Sequence, residues 1–159
     1  MMRTITLHIN GAAHTVTGAE DTPLLHVLRN MLDLKASRFG CGLEQCGACM
    51  VLVDGKPAYA CTLPLWQCAG TSIETAEGLV AGEAPHPLVA AFLAEQAGQC
   101  GYCLSGILMS AKALLAHNPT PQRAEIIAAL EPHLCRCGAQ PRMIQAVERA
   151  ARAMAGEPA

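Results

Sequence analysis

Aromatic side chains make up only 3% of this chain, with one Trp, two Tyr and two Phe among 159 residues. Any core must therefore be built from small aliphatic groups. Charge is also sparse: 15% of residues are Asp, Glu, Lys or Arg, and the 11 basic residues are outnumbered by 13 acidic ones, for a formal net charge of -2. The basic residues are not clustered, which excludes a nucleic-acid surface. No apolar run approaches the roughly 20 residues that cross a bilayer, so the chain is not read as transmembrane. The N-terminal stretch MMRTITLHINGAAHT alternates apolar with polar residues and lacks the continuous apolar core of a signal peptide. The expected compartment is the cytoplasm, although co-export on a partner's twin-arginine signal would carry a folded complex to the periplasm. Missing as well are a dinucleotide-binding glycine pattern, a phosphate loop and a nucleophile set beside a base. Nothing in the chain is suited to bind and transform an organic substrate.

What is abundant is cysteine, at nine residues, and apolar residues in general, at 52%. In a reducing compartment dense cysteine points to metal more than to disulfides. The organisation changes period midway. Ile5, Leu7 and Ile9 alternate, Gly11 turns the chain, and His14 to Thr17 offers a second strand. Pro23 opens a helical pattern through Leu24, Leu28 and Met31 or Leu32, with Asp21 or Thr22 placed to cap it. Met50 to Val53 and Pro57 to Cys61 flank the hairpin pair Asp54-Gly55, and Thr71 to Thr75 reads as one more strand. The second half is rich in Ala and Leu at helical spacing. Four helices are expected over Leu88 to Gln96, Gly106 to His117, Arg123 to Leu130 and Met143 to Met154, with Thr120 as the N-cap of the third and Pro121 at its first position. Gly78 to Pro87, with two glycines and two prolines, reads as the linker.

Eight of the cysteines fall into two groups. Cys41, Cys46 and Cys49 follow C-x4-C-x2-C, with Cys61 beyond them, the spacing of a plant-type 2Fe-2S ferredoxin. Gly42 and Gly47 let the backbone wrap closely and aim N-H groups at sulfur. Structural zinc usually takes paired ligands at both ends of its motif, whereas this group is a triplet with a single partner. The second group, Cys100 and Cys103 followed by Cys135 and Cys137, suits zinc as well as an iron-sulfur cluster when taken alone. Each of its pairs precedes a helical segment, and positive helix ends favour a doubly negative thiolate-ligated 2Fe-2S unit by about 0.3 to 1 kcal/mol each. Arg136 adds a cation between the last two thiols.

The motifs FGCGLEQCGACMVLVDG, AYAC, QCGYCLSG and LCRCG, in that order, resemble the small iron-sulfur subunit of the molybdenum hydroxylases, the xanthine dehydrogenase superfamily. Among stand-alone small subunits the resemblance is to those of isoquinoline 1-oxidoreductase and related aldehyde or N-heterocycle dehydrogenases. It runs from about Ile5 to Ala150. It implies an α+β chain: a β-grasp, plant-ferredoxin-type domain over 1–78 and a four-helix domain over 79–159, each holding one 2Fe-2S cluster. By the same resemblance Cys100, Cys103, Cys135 and Cys137 hold the cluster proximal to a molybdopterin on a large catalytic subunit. Cys41, Cys46, Cys49 and Cys61 hold the distal one. Gln99 is implied to contact the pterin, and Cys137 to lie on the shortest path from pterin to iron. Ala139 and Gln140 depart from the threonine or asparagine and the aromatic or histidine that usually follow CRCG. The implied role is a relay, carrying electrons from the molybdopterin subunit to an FAD subunit or a cytochrome c. A free-standing two-cluster ferredoxin or a redox sensor is the alternative, and it would need neither Gln99 nor the C-x-C pair.

The remaining candidates have plainer readings. Cys68 lies outside both groups and reads as a small buried hydrophobe. The six histidines show no ligand spacing; His133 is near Cys135, but four cysteines already fill that site. Met50, Met109 and Met143 read as packing. Trp66 reads as a cover for the distal cluster. The apolar content exceeds what two small cores hide, so some of it is expected to face the large subunit.

Overall fold

The computed structural model describes residues 1–157, so the expected second domain ends two residues outside the described part. Alternating apolar residues build the first element, β1 (Met2–Ile9), which turns at Asn10-Gly11 into the antiparallel β2 (Ala12–Ala19). Both strands extend beyond the expected spans. The Asp54-Gly55 pair joins β3 (Met50–Val53) to β4 (Lys56–Tyr59), with φ of 49° and 78° at its two residues, the left-handed geometry a two-residue hairpin needs. Cys61 thus falls beyond the end of β4 and not on the strand itself. β5 (Ser72–Glu74) enters the middle of the sheet, giving the order β2-β1-β5-β3-β4 with β1 and β5 parallel.

The helix expected after Pro23 is largely broken. A single turn, α1 (Leu24–His26), passes into a wider π-type coil over Val27–Met31. Neither Asp21 nor Thr22 caps it, because Pro23 holds the N-cap position and the backbone of the following turn is engaged elsewhere. Leu24 N-H donates to Leu63 C=O and Leu25 N-H to Ala60 C=O, so the segment is pinned to the chain just after β4. Leu24, Leu25, Val27 and Leu28 bury against Leu7, Ile9, Val51 and Ile73, closing the first core.

Four further helices follow: α2 (Pro87–Ala94), α3 (Leu104–His117), α4 (Arg123–Leu130) and α5 (Gln140–Met154). α2 packs on α5, and α3 and α5 both pack on α4. Leu88, Ile107, Met109, Leu115, Ile126, Met143 and Val147 fill the space between them. The expected cap of α4 is corrected. Gln122 is the N-cap, in a reciprocal box with Glu125, while Asn118 Oδ1 accepts from Thr120 N-H at 3.2 Å and keeps Thr120 in the preceding turn.

The two cores meet across β3. Its side chains alternate: Val51 faces the strand core and Leu52 faces the helical core, so the strand is buried on both faces. α3 packs along this outer face, and Lys112 of α3 pairs with Glu74 of β5.

Candidate metal centres

The first quartet sits on the loop between the broken helix and β3, with its fourth member just after β4. Gly47 has φ of 71°, a conformation that costs most other residues about 1 to 2 kcal/mol. This tight path aims backbone donors inward. Leu43 N-H and Gln45 N-H both donate to Cys41 Sγ at 3.3 Å, and Cys41 N-H donates to Cys46 Sγ at 3.4 Å. The first two amides favour anionic sulfur and draw the Cys41 thiol down to about 7. Cys49 lies at the opposite extreme, pushed up to about 12 by burial. Tyr59 and Leu63 pack against the core around Cys49 and Cys61.

The second quartet gathers at the N-terminal ends of two helices. Cys103 is the N-cap residue of α3, and Ala139 is that of α5, so the four thiols precede helices of 14 and 15 residues. Burial pushes Cys103 up to about 12. It also works to raise Cys135, but the N-H groups of Ala139, Cys137 and Gly138, with the Cys103 thiol, outweigh it and lower that thiol. Cys100 is lowered chiefly by the Tyr102 N-H. Gln99 is exposed, and its side-chain amide donates to Cys137 C=O at 3.2 Å; Gln140 does the same to Cys135 C=O at 3.2 Å. Gln140, one of the two residues that depart from the usual continuation of CRCG, thus braces the loop that carries Cys135 and Cys137.

The donor set fits binuclear clusters. Among the described residues no three His, Cys, Asp or Glu side chains converge as they would around one ion. Within each quartet the thiols act on one another's ionisation, Cys41, Cys46, Cys49 and Cys61 in one set and Cys100, Cys103, Cys135 and Cys137 in the other. Four cysteine thiols per site is what a 2Fe-2S unit requires. Ser105, at the start of α3, adds a buried hydroxyl without a partner among the described residues.

The other candidates separate from the site. Cys68 is fully buried in the first core, where its thiol lies 3.6 Å from Pro64 C=O and burial pushes it up to about 11. Met50, Met109 and Met143 are buried packing residues. Trp66 is half exposed, with its backbone N-H on Glu20 C=O. His133 has a part that its sequence position does not signal: its ring engages Ser110 and abuts Gly47, so it joins the two halves.

Two family models cover the chain: a 2Fe-2S iron-sulfur cluster binding domain over residues 7–75 and a 2Fe-2S binding domain over 75–148. One of the nicotinate dehydrogenase subunits of Pseudomonas putida is 49% identical over 151 residues, covering 95% of this chain and 96% of that one. The alpha subunit of isoquinoline 1-oxidoreductase from Brevundimonas diminuta is 48% identical over 145 residues, covering 91% and 95%. Among solved structures, quinoline 2-oxidoreductase from Pseudomonas putida superposes with a TM-score of 0.90 at 35% identity over 99% of both chains. The aldehyde oxidoreductase from Desulfovibrio desulfuricans superposes with a TM-score of 0.94 at 38% identity, covering 98% of this chain and 18% of that longer one.

Proposed function

This chain belongs to the small 2Fe-2S iron-sulfur subunits of the molybdenum hydroxylases, and on that premise we propose the assignment of its ligands, partners and electron route. The chain is the electron-transfer subunit of an oxidoreductase and carries two 2Fe-2S clusters. In our assignment Cys41, Cys46, Cys49 and Cys61 hold the distal cluster. Cys100, Cys103, Cys135 and Cys137 hold the proximal one. The single observation that carries this is that the fold gathers the eight thiols at two places, with the Leu43 and Gln45 N-H groups on Cys41 Sγ in one and the Gln99 and Gln140 side chains bracing the backbone of Cys137 and Cys135 in the other.

Each 2Fe-2S cluster, once held, accepts and releases one electron at a time. The chain supplies the rest. Amides on sulfur and the ends of α3 and α5 stabilise the negative charge of the ligands. Burial of Cys49 and Cys103 keeps water from one side of each site. Gln99, held on the Cys137 carbonyl, is assigned to the molybdopterin face, and Cys137 to the entry point for electrons. An apolar groove of about 620 Å3 beside Gln99, lined by Val89, Phe92, Leu93 and Leu104, supports docking of the large molybdopterin-binding subunit there. Exposed Phe39 and Leu43 beside Cys41 support that part of the surface as the exit to an FAD subunit or a cytochrome c. Nothing favours the free-standing ferredoxin or sensor reading, since the relatives with matching length are subunits.

We also assign residues 1–78 and 79–159 to separate domains. Thr75 and Glu77 bond back to Asn10 and Ala36 of the first half, whereas Leu79 belongs to the helical core, which supports a division between them. No described helix is long and apolar enough to cross a membrane. The proposed compartment is the reducing cytoplasm, which suits nine cysteines with no disulfide among the described residues.

The test is anaerobic co-purification from native extract with metal and sulfide analysis. A large molybdopterin subunit should accompany the chain, with iron and acid-labile sulfide in equal amounts and two distinct EPR signals on reduction. Zinc, or a chain recovered alone, would overturn the assignment.

A further inference from the structure

The two cysteine loops touch through a backbone bond. Leu134 N-H donates to Cys46 C=O at 3.0 Å, joining the residue before Cys135 to a thiol-bearing residue of the other half. The neighbouring residues clamp this contact from two sides. His133 is only 7% exposed, its Nε2 lies 2.7 Å from Ser110 Oγ on α3, and its ring occupies the volume that a Gly47 side chain would need. On the other side, Gly106 of α3 lets the Gly47 carbonyl approach so closely that a Cβ at position 106 would overlap it. The Cys46-Gly47 peptide is therefore wedged between α3 and the segment that leads into Cys135. Cys46, Cys100 and Cys103 also line one recess of about 270 Å3, with Leu134 and Arg136, so the two quartets face each other across this junction.

We propose that His133 is a positioning residue for electron exchange between the two quartets: by wedging Gly47 against α3 it keeps the Cys46 carbonyl on the Leu134 amide, and that hydrogen bond is the through-bond link from Cys46 to Cys135. The inference rests on the reading that both quartets hold 2Fe-2S clusters. One electron crosses at a time; the iron of one quartet is oxidised as that of the other is reduced, no bond is made or broken, and no proton has to move. Coupling through covalent and hydrogen bonds outlasts coupling across open space, so a small slippage at this peptide weakens it. Ser110 fixes the ring's rotation, and a close-packed interior has few other ways to hold two loops in register. The neighbouring Nδ1 is buried against the Gly47 backbone.

The experiment uses the whole complex, its catalytic partner included, and compares wild type with His133→Ala and Ser110→Ala. Iron and sulfide analysis reports loading, and low-temperature EPR of the fully reduced complex reports spin-spin splitting between the two clusters. Stopped-flow spectroscopy follows electron arrival at the distal cluster. The expected result is full loading with two signals in every variant, loss of the splitting and slower arrival in His133→Ala, and a partial loss in Ser110→Ala. Undiminished splitting and an unchanged arrival rate in a fully loaded His133→Ala complex would overturn the inference while leaving the cluster assignment intact. If His133→Ala fails to assemble, Ser110→Ala decides by the same criterion, since it removes only the ring's partner. A wild-type complex lacking two iron-sulfur signals would remove the cluster assignment and this inference together.

Discussion

The Gln99 side chain donates to the carbonyl of Cys137 at 3.2 Å, so a residue just before the first thiol of the helical quartet braces the last one. This bond holds the loop on which the proposed entry point for electrons lies. Gln99→Ala is expected to leave iron content unchanged and to lower turnover of the assembled complex. Parallel measurement of iron per chain and substrate-dependent reduction checks it. Lost iron in place of lost turnover would make the bond purely structural.

Replacing the sulfur of Cys137 by oxygen separates the two quartets more sharply. Cys137→Ser should abolish or strongly reduce turnover while the EPR signal assigned to the Cys41 quartet persists, because the strand core around that quartet does not include Cys137. Equal loss of both signals would show that the halves do not assemble independently.

Gly106 allows α3 to lie against the Gly47 carbonyl. Gly106→Ala forces backbone apart at a packed junction, for which overpacking costs about 1 to 3 kcal/mol. A lower unfolding midpoint than wild type is the readout, opposite in sign to the gain of up to about 1 kcal/mol that Gly→Ala brings at an unobstructed helix position.

Leu52 is the residue of β3 that faces the helical core, at 2% exposure. Truncation to Ala is expected to cost about 2 to 5 kcal/mol, whereas exposed Leu93→Ala should fall within about 0.5 kcal/mol. Denaturant titration of the two variants distinguishes a strand shared by both cores from one belonging to a single core.

His86 caps α2 by accepting the Leu88 N-H on Nδ1 at 3.1 Å. Burial lowers its pKa, Lys112 lowers it further and Glu74 opposes them. The unfolded chain therefore binds the proton first, near its ordinary value of about 6.5. The cap's contribution is present above that pH and is lost as pH falls below it. Hydrogen exchange at the first turn of α2 should quicken, beyond its intrinsic trend, on acidification through this range. His86→Asn, which keeps an acceptor that does not titrate, should flatten the effect.

Local spacing is enough to single out the eight thiols as two groups. They, the Asp54-Gly55 turn, the strand alternation and the four later helices depend on residues close together in the chain, where motif spacing, left-handed backbone and period impose themselves directly. The cap of α4 differs from its expected place because Thr120-Pro121 carries the usual signal, yet the Gln122-Glu125 box satisfies two backbone donors at once. The helix after Pro23 is shorter than its periodicity suggests because its backbone is recruited by Ala60 and Leu63.

What the chain's order of residues determined alone is the chemistry: which sulfurs are available, in what spacing, and that no motif for transforming a substrate accompanies them. Only the folded molecule decided how those sulfurs are arranged in space. The contact of Leu134 with Cys46, the wedge of His133 on Gly47 and the double burial of β3 join segments far apart in sequence. Such contacts are chosen by which surfaces fit when two cores close on one strand, and a glycine or histidine looks the same in sequence whether or not another backbone lies against it.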